Sequence, residues 1–513
     1  MEKLKNKYIL SLLFFLGVWM FWAFYAPALL NYQEELQLFL FDKELFMERI
    51  AMPTGFARYV AEFLVQMYYN AILGGAVIAA LMTIMQLMMW QIVKKNCRMP
   101  VLCFIMTFVP FVLLWYFQGD LRVKLTFTIA LLMVEIAMWV ASMLQHKKVC
   151  YYAFLLIVTP LLAWGAGPVI LILGIFIGLT AFVNSKDRLA LSMLVYASVC
   201  LVICSFFAVT PFYRLFSGIG YTMTVDQLPV MQVIVMIAFA ITPFCISLIP
   251  QITNVKTARN IQKVSIAVLF GMVVFVSSKC IYKEEYEVLE YDALVRAGNW
   301  DDVIAKAEKK SPDSPLTIAA LNLALAMKGQ LLQRGFDFYQ NGIECAFPKV
   351  EKASEITIMT AETYFYLGLV NEAMHLDFDS MEALADNAKS VRVIKRLAEI
   401  NLINGQYEVA RRYLKLLQKT MFYADWADDT MALLDNEKAI NEHPLYGYLR
   451  TLRLNEDFIF NEAEIDKVMG HLFMHNSNNS LAMQYLLFLP QLEGNKQKYM
   501  MYLNYVNKKT QKK

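Results

Sequence analysis

The chain has 513 residues, of which 58% are hydrophobic and 18% charged, and its formal net charge is +3. An average soluble protein has about 45–50% apolar and about 25% charged residues, so the composition is that of a membrane protein. The small net charge provides no basic surface of the kind that binds nucleic acid. The eight cysteines form no CxxC pair and no metal-type spacing, which argues against a disulfide framework.

The composition changes near residue 283. Before this point long apolar runs carry few charges, and after it charges are frequent and hydrophobic residues recur with helical period. We therefore predict an all-α protein with a polytopic transmembrane helix bundle over residues 1–282 and a soluble helical domain over 283–513. Because about 20 apolar residues cross the hydrocarbon core, the bundle is predicted to hold about nine spans, at 8–30, 63–92, 99–117, 125–144, 149–164, 167–183, 189–209, 229–249 and 264–282. The fifth and sixth spans form a hairpin broken at residues 165–168, and a re-entrant pair is the alternative there.

The distribution of lysine and arginine predicts the orientation. With the N-terminus in the cytoplasm, the cytoplasmic segments hold about twice as many Lys and Arg residues as the outer loops, in line with the positive-inside rule. An odd number of spans then places the second domain outside the cytoplasm, which is the periplasm in a Gram-negative cell. The predicted location is a bacterial inner membrane, and the lipid bilayer is the first predicted partner.

The first outer loop begins with NYQEELQLFLF, residues 31–41. Apolar positions between residues 33 and 50 fall mainly on one helical face, which predicts a helix lying in the membrane interface. Glu34 and Glu35 would then lie near the start of that helix, where the positive end of the helix dipole favours carboxylates. We expect them to form a solvated collar beside the membrane. The alternative is that they form the polar rim of a site.

Polar residues recur at i, i+4 spacing where the second span is predicted to begin, at Arg58, Glu62, Gln66 and Asn70. Side chains four residues apart are neighbours on one helix face. Such a row would be strongly unfavourable against lipid, so we expect it to face protein or water. Glu135 lies near the middle of the fourth span. It is either a structural group hydrogen-bonded to a neighbouring helix or part of a proton relay or polar cavity.

Four stretches of the second domain share the pattern of an apolar helix, a glycine and a second helix. The glycines are Gly298, Gly329, Gly368 and Gly405. After the last of them, Tyr407 and Ala410 follow at the offsets typical of a tetratricopeptide repeat. Stacked hairpins of this kind bury a common core and leave a concave groove for a peptide or partner segment. We predict a tetratricopeptide-like α-solenoid, with generic helical hairpins in a compact α-domain as the alternative.

Two histidines, His471 and His475, have the i, i+4 spacing that a metal site can use. No HExxH sequence accompanies them. We therefore predict no metal site and no cofactor.

Stretches in both domains are similar to a Bacteroidota family of multispanning membrane proteins known as a domain of unknown function. In the first domain they are YQEELQLFLF, a Pro-Thr-Gly turn and RYVAEFLVQMYY. In the second they are NLALAMKGQL, YQNGIECAFP, KRLAEINLINGQYEVARRYLKLLQKT and HPLYGYLR. The resemblance covers most of the chain. It implies a Bacteroidota inner-membrane protein and supplies no catalytic residues.

The leading functional hypothesis is a non-enzymatic interaction protein. The membrane domain would anchor a periplasmic repeat domain, whose groove binds another envelope protein or a peptide. This accounts for the repeats and for a sequence in which we find no nucleotide-binding loop and no nucleophile motif.

The alternative is a membrane-embedded transferase of lipid-linked sugars or glycans, a class whose architecture the chain resembles. Its chemistry needs an outward-facing carboxylate that deprotonates an acceptor or holds a divalent metal, and cations for the leaving lipid phosphate. The candidate carboxylates are Glu34, Glu35 and Asp42. The candidate phosphate-binding cations are Arg58, Arg122 and Arg214. A transporter that uses Glu135 is a second alternative, although we find no inverted repeat to support it.

Overall fold

The structure is a computed structural model that describes residues 2–184, 188–208, 210–223, 228–349, 354–454 and 462–510. It is all-helical, which confirms the predicted fold class. In these residues the one strand-like pairing is an isolated antiparallel bridge between Val123 and Thr222. The chain forms two compact units, Met1–Tyr282 and Lys283–Lys513, which we call the N-terminal unit and the C-terminal unit.

The N-terminal unit consists of helices of very different length. In chain order they are α1 Glu2–Met20, α2 Pro27–Glu35, α3 Lys43–Ile50, α4 Gly55–Val65, α5 Ala71–Val93, α6 Pro100–Met106, α7 Val109–Gln118, α8 Leu125–Leu144, α9 Lys148–Gly165, α10 Ile170–Asn184, α11 Arg188–Phe207, α12 Phe212–Ser217, α13 Val230–Ser247 and α14 Val255–Lys279. A π-helical segment, Phe21–Tyr25, joins α1 to α2, and a 3₁₀ turn, Gln66–Tyr69, joins α4 to α5.

Seven segments of the described chain are long and apolar enough to cross a membrane: Tyr8–Tyr25, Ala71–Asn96, Pro100–Gln118, Leu125–Leu144, Lys148–Gly165, Val230–Ser247 and Val255–Lys279. Two shorter apolar helices, Gly167–Thr180 and Ser192–Phe207, coincide with the predicted sixth and seventh spans. The protein is therefore a multispanning membrane protein. The predicted start of the second span at residue 63 is wrong, because the spanning helix begins only after the break at Asn70.

Successive spanning helices alternate in direction, so the turns of the N-terminal unit gather at two ends. The segment from α2 to α4 and the turns at 119–124, 165–169 and 218–223 share one end, which we call the loop end. The turns at 94–99 and 145–148 and the last turn of α13 lie at the opposite end. Hydrogen bonds between the turns of the loop end, described below, support this grouping.

The C-terminal unit begins with helices that pair into hairpins. Its helices are α15 Lys283–Arg296, α16 Trp300–Lys309, α17 Pro315–Met327, α18 Leu331–Arg334, α19 Ser354–Leu367, α20 Val370–Glu382, α21 Val391–Ile403, α22 Tyr407–Leu417, α23 Ala424–Leu433, α24 Glu437–Glu442, α25 Tyr446–Leu452, α26 Ile465–His475, α27 Ser480–Leu492 and α28 Lys496–Thr510. Each of the first four hairpins turns at a glycine with φ between 67° and 87°, namely Gly298, Gly329, Gly368 and Gly405. In this left-handed region a side chain would strain the backbone.

Two helices that follow α22 in the chain pack against helices that precede it. Helix α25 packs against α19 and α21, and α27 packs against α17 and α18. Gln484 on α27 fixes this return, because its side chain accepts a hydrogen bond from the Leu331 N–H at 3.1 Å and donates to the Ala326 carbonyl oxygen at 3.0 Å. In an open solenoid each repeat contacts only its neighbours. Here the chain's own C-terminal helices lie against helices from the second, third and fourth hairpins.

Candidate functional site

Thr54 connects three turns at the loop end. Its N–H donates to the Trp164 carbonyl oxygen at 2.7 Å, and its hydroxyl donates to the Ile219 carbonyl oxygen. Its φ of 63° is unusual for a β-branched residue. Its methyl group lies over Gly167, where an added Cβ would be 2.3 Å from Thr54 Cγ2. These contacts hold the Pro53-Thr54-Gly55 turn in a conformation that the local sequence does not favour.

Further hydrogen bonds extend the assembly of turns. The Lys124 N–H donates to the Tyr221 carbonyl oxygen at 2.9 Å, and the Tyr221 hydroxyl donates to the Ala166 carbonyl oxygen. The Gln33 amide at the end of α2 donates to the Val123 carbonyl oxygen at 2.9 Å. The turns of the loop end therefore form one hydrogen-bonded assembly, which fixes the backbone that carries their charged residues.

A buried ionic cluster lies next to this assembly. The Glu62 carboxylate accepts a hydrogen bond from Arg49 Nε at 2.8 Å and another from Arg58 Nε at 2.7 Å. All three residues are only 4–6% exposed. Burial raises the pKa of Glu62, but the two guanidinium groups outweigh it and hold the pKa below its ordinary value. Glu62 is on α4, outside the seven spanning segments.

The predicted polar row divides into two parts. Arg58, Glu62 and Gln66 are buried inside protein. Asn70 is exposed and caps α5, accepting hydrogen bonds from the N–H groups of Ile72 and Leu73. The expectation of one continuous helix face is wrong, because α4 ends at Val65 and a 3₁₀ turn separates it from α5.

Glu34 and Glu35 are 4% and 6% exposed, so the expectation of a solvated collar is wrong. The predicted interfacial helix over residues 33–50 is wrong as well. The non-helical residue Ala26 follows the π-helical segment, Pro27 then starts α2, which ends at Glu35, and α3 begins only at Lys43. The two carboxylates thus lie at the C-terminal end of a helix, where the dipole disfavours negative charge.

The other candidate residues of the loop end have local roles. Asp42 caps α3 by accepting a hydrogen bond from the Glu44 N–H at 2.9 Å. Arg122 forms an ion pair with Asp120 at 3.2 Å and is partly exposed. Arg214 lies half-buried in the last turn of α12. The sequence analysis missed Arg49 and the buried Lys124, which is 2% exposed at the start of α8.

Glu135 is fully buried within α8. It lies beside the backbone of Met89 on α5, and neither carboxyl oxygen has a hydrogen-bond partner of good geometry among the described residues. Gln86, one turn earlier on α5, is also fully buried. It accepts from the Ser11 hydroxyl at 2.7 Å and donates to the Thr107 hydroxyl at 2.8 Å. Of these two buried groups, the Gln86 amide is satisfied and the Glu135 carboxyl is not.

The C-terminal unit contains a second buried ionic cluster, which the sequence analysis also missed. Arg392 on α21 donates to both oxygens of Asp292 on α15, at 2.8 and 2.9 Å, and to Glu362 on α19 at 3.1 Å. Arg396 donates to Glu362 at 2.5 Å and to Glu399 at 2.7 Å. Burial raises the pKa of Glu362, but Arg396 and Arg392 outweigh it and lower the pKa to about 2.

Asp377 on α20 lies near this cluster and differs from it. It is 2% exposed, and its Oδ2 atom has no hydrogen-bond partner among the described residues. Burial raises the pKa of Asp377 well above its ordinary value, and Arg396 offsets this only in part. The C-terminal unit therefore contains an acid that is stabilised as an anion and another that is not.

The described residues include no group of three or more His, Cys, Asp or Glu side chains placed to hold a metal ion. His471 and His475 both lie exposed on α26.

The fold and the charged clusters define the class: an all-α multispanning membrane protein with a second helical unit. The chain belongs to the Family of unknown function (DUF6057), whose sequence model matches residues 3–513. Neither a curated protein nor a solved structure matches the chain.

Proposed function

We propose that the protein is an inner-membrane scaffold. Its N-terminal unit anchors the chain, and its C-terminal unit binds another envelope protein. The N-terminus is assigned to the cytoplasm and the C-terminal unit to the periplasm, on the Lys and Arg bias of the connecting segments. With this orientation the loop end faces the periplasm.

The observation that carries the proposal is the series of glycine-turned hairpins from α15 to α22. Stacked helical hairpins present extended surfaces for protein partners. Because α25 and α27 lie against α17, α18, α19 and α21, we expect the partner on α20 and α22, the second helices of the third and fourth hairpins. Those helices carry exposed apolar side chains, including Phe378 on α20 and Val409 on α22, 41% and 38% exposed.

Photo-crosslinking in native membranes tests this proposal. A photoreactive amino acid replaces Phe378 or Val409 in the full-length chain, and Lys438 on α24, 83% exposed, is the matched control position. The expected result is one envelope protein crosslinked from both test positions and not from the control. Phe378→Glu should abolish its co-purification, whereas Lys438→Glu should not. Equal co-purification with both variants would contradict the proposed surface.

One observation favours a transferase of lipid-linked sugars or glycans as the second candidate function. Glu34, Glu35 and Lys124 are buried together with the Glu62 cluster at one end of a membrane protein, and buried ionisable groups of this kind often mark functional sites. In this scheme Glu34 or Glu35 deprotonates the acceptor or holds a divalent metal, and Arg122 and Arg214 bind the leaving phosphate.

Lipid-linked glycan profiles distinguish the two functions. A deletion strain is complemented with wild type, with Glu34→Gln/Glu35→Gln, or with Glu44→Gln as the control for an exposed carboxylate of the same segment. The scaffold predicts unchanged profiles in all strains. Accumulation of one lipid-linked precursor in both the deletion strain and the double variant, but not in the Glu44→Gln strain, would establish the transferase instead.

A further inference from the structure

A cavity of about 280 Å³ opens at the opposite end of the N-terminal unit. Residues of α5, α8, α10 and α13 and of the turn after α5 line it. Its apolar side includes Val93, Phe176 and Phe244, and its polar side includes Lys95, Ser142, His146, Thr180 and Ser247. The cavity therefore has a hydrophobic base between helices and a hydrogen-bonding side near the chain turns.

The surroundings of the cavity are cationic. The segments 91–100 and 145–150 contain no acidic residue, and they hold Lys94, Lys95, Arg98, Lys147 and Lys148. Lys95 and His146 are exposed at the cavity. In the described part of the chain no ion pair is made by either side chain. Because charged groups of one sign around a low-dielectric cleft concentrate ions of the opposite sign, the cavity attracts anions.

We propose that this cavity binds the phosphate group of an anionic ligand. Ligand pockets usually measure about 300–1,000 Å³, so 280 Å³ accommodates a headgroup-sized anion rather than a large solute. Lys95 supplies the charge. The hydroxyls of Ser142, Thr180 and Ser247 each donate to a carbonyl oxygen of their own helix. The side-chain amides of Asn96 and Gln145, which also line the cavity, supply hydrogen bonds, and the apolar base receives the glycerol carbons of a lipid. Basic pockets between spanning helices bind phospholipid headgroups in this way.

A phospholipid headgroup and a soluble phosphate ester share this chemistry, and two measurements on the full-length protein distinguish them. In nanodiscs that contain phosphatidylglycerol, native mass spectrometry counts the anionic lipids that remain bound. In nanodiscs of phosphatidylcholine, calorimetry measures the affinity for glycerol 3-phosphate. The variants are Lys95→Gln and His146→Gln, and Lys94→Gln is the control, because Lys94 is adjacent in sequence and does not line the cavity.

Removing a charge-assisted hydrogen bond weakens binding about tenfold or more. We therefore expect Lys95→Gln to bind at least one of the two probes about tenfold more weakly than wild type. The loss of binding should be smaller in His146→Gln and absent in Lys94→Gln. If Lys95→Gln weakens the binding of phosphatidylglycerol alone, the cavity is a lipid site. If it weakens the binding of glycerol 3-phosphate alone, the cavity is a site for a soluble phosphate ester. Equal binding of both probes by Lys95→Gln and Lys94→Gln would overturn the proposal. Both side chains are exposed, so the variants should fold, and thermal unfolding verifies this.

Discussion

Arg392 binds Asp292 through two hydrogen bonds, at 2.8 and 2.9 Å, between residues 100 positions apart in the chain. The pair connects the first helix of the C-terminal unit, α15, to α21 of the fourth hairpin. Both side chains are almost fully buried. A packing contact at this position would tolerate a shift of one helix along the other, whereas a bidentate pair fixes their relative position.

Asp292→Ala should destabilise the C-terminal unit by about 3–5 kcal/mol, because it leaves the buried Arg392 without one of its carboxylates. Glu408→Ala is the control, since Glu408 is 84% exposed and lies 3.7 Å from Arg411, and it should cost less than about 1 kcal/mol. Labelling of Cys345 at increasing denaturant concentration measures the stability of the C-terminal unit in both variants. This cysteine is 1% exposed, and it is the only cysteine in the sequence after residue 283. Similar unfolding midpoints for the two variants would show that the pair is dispensable.

The Glu362 pKa predicts acid sensitivity of the C-terminal unit. The two arginines lower the pKa from an ordinary value of 4.5 to about 2, so the folded unit resists protonation that the unfolded chain accepts. The stabilisation is complete above about pH 4.5 and is lost as the pH falls toward 2, by about 3 kcal/mol in all. Pulse proteolysis with pepsin across this range measures the loss. The Glu362→Gln variant should be less stable than wild type at neutral pH, and its stability should depend less on pH. If its stability falls as steeply with pH as that of wild type, other acidic residues cause the effect.

Asp377 should have the opposite pH dependence. Its pKa is raised on folding, so the folded state loses stability relative to the unfolded chain as the pH rises above about 4. Asp377→Asn removes the ionisable group and keeps the shape. The variant should therefore be more stable than wild type at pH 7, with a smaller advantage at pH 4–5. Asp379→Asn, on the exposed side of the same helix, should match wild type at both pH values in Cys345 labelling.

The sequence predicted features that depend on local pattern. Long apolar runs gave the spanning helices, and the 283 boundary of composition coincides with the division of the structure into two units. Glycines followed by a new helix mark the turns, because a left-handed residue at a helix end is a local requirement. Gly494, with φ of 69° between α27 and α28, is a fifth turn of this kind, and the sequence analysis passed over it.

Features that depend on distant residues were not predictable in this way. Glu34 and Glu35 look solvated in sequence, but they are buried in the structure, where α2 packs against α5 and the 3₁₀ turn Gln66–Tyr69. The return of α27 onto α17 rests on Gln484, which is an ordinary helix residue in sequence. The Arg392 cluster left no local signal either. The sequence of α21 has the charged residues of an ordinary amphipathic helix, and Arg392, Arg396 and Glu399 are buried because α20, α22 and α25 pack against it.

Glu135 should tolerate conversion to an amide. The neutral carboxyl is the form that a membrane interior accommodates at low cost, and glutamine has the same size. Glu135→Gln should therefore keep the thermal stability of the N-terminal unit, whereas Glu135→Lys should lose about 2.5–3.5 kcal/mol. Labelling of the buried Cys103 during heating in detergent measures the thermal stability of both variants. A marked loss in Glu135→Gln would show that the structure needs the ionised group.

Two glycines, one just before α10 and one inside it, give a matched test of the assembly of turns. Gly167 has φ of 76°, and an added Cβ would lie 2.3 Å from Thr54 Cγ2; Gly178 is inside α10 and has no atom within 4 Å of an added Cβ.

Gly167→Ala should therefore lower the stability of the N-terminal unit, by about 1–2 kcal/mol from the left-handed backbone and further from the displacement of Thr54. Gly178→Ala should be neutral, or stabilising by up to about 1 kcal/mol. Labelling of Cys103 during heating compares the variants. The double variant Gly167→Ala/Thr54→Ser removes the clashing methyl group and keeps the Thr54 hydroxyl position, so it should recover the steric part of the loss and leave the backbone strain. No recovery in the double variant would show that the contact between Thr54 and Gly167 does not limit the stability of the loop end.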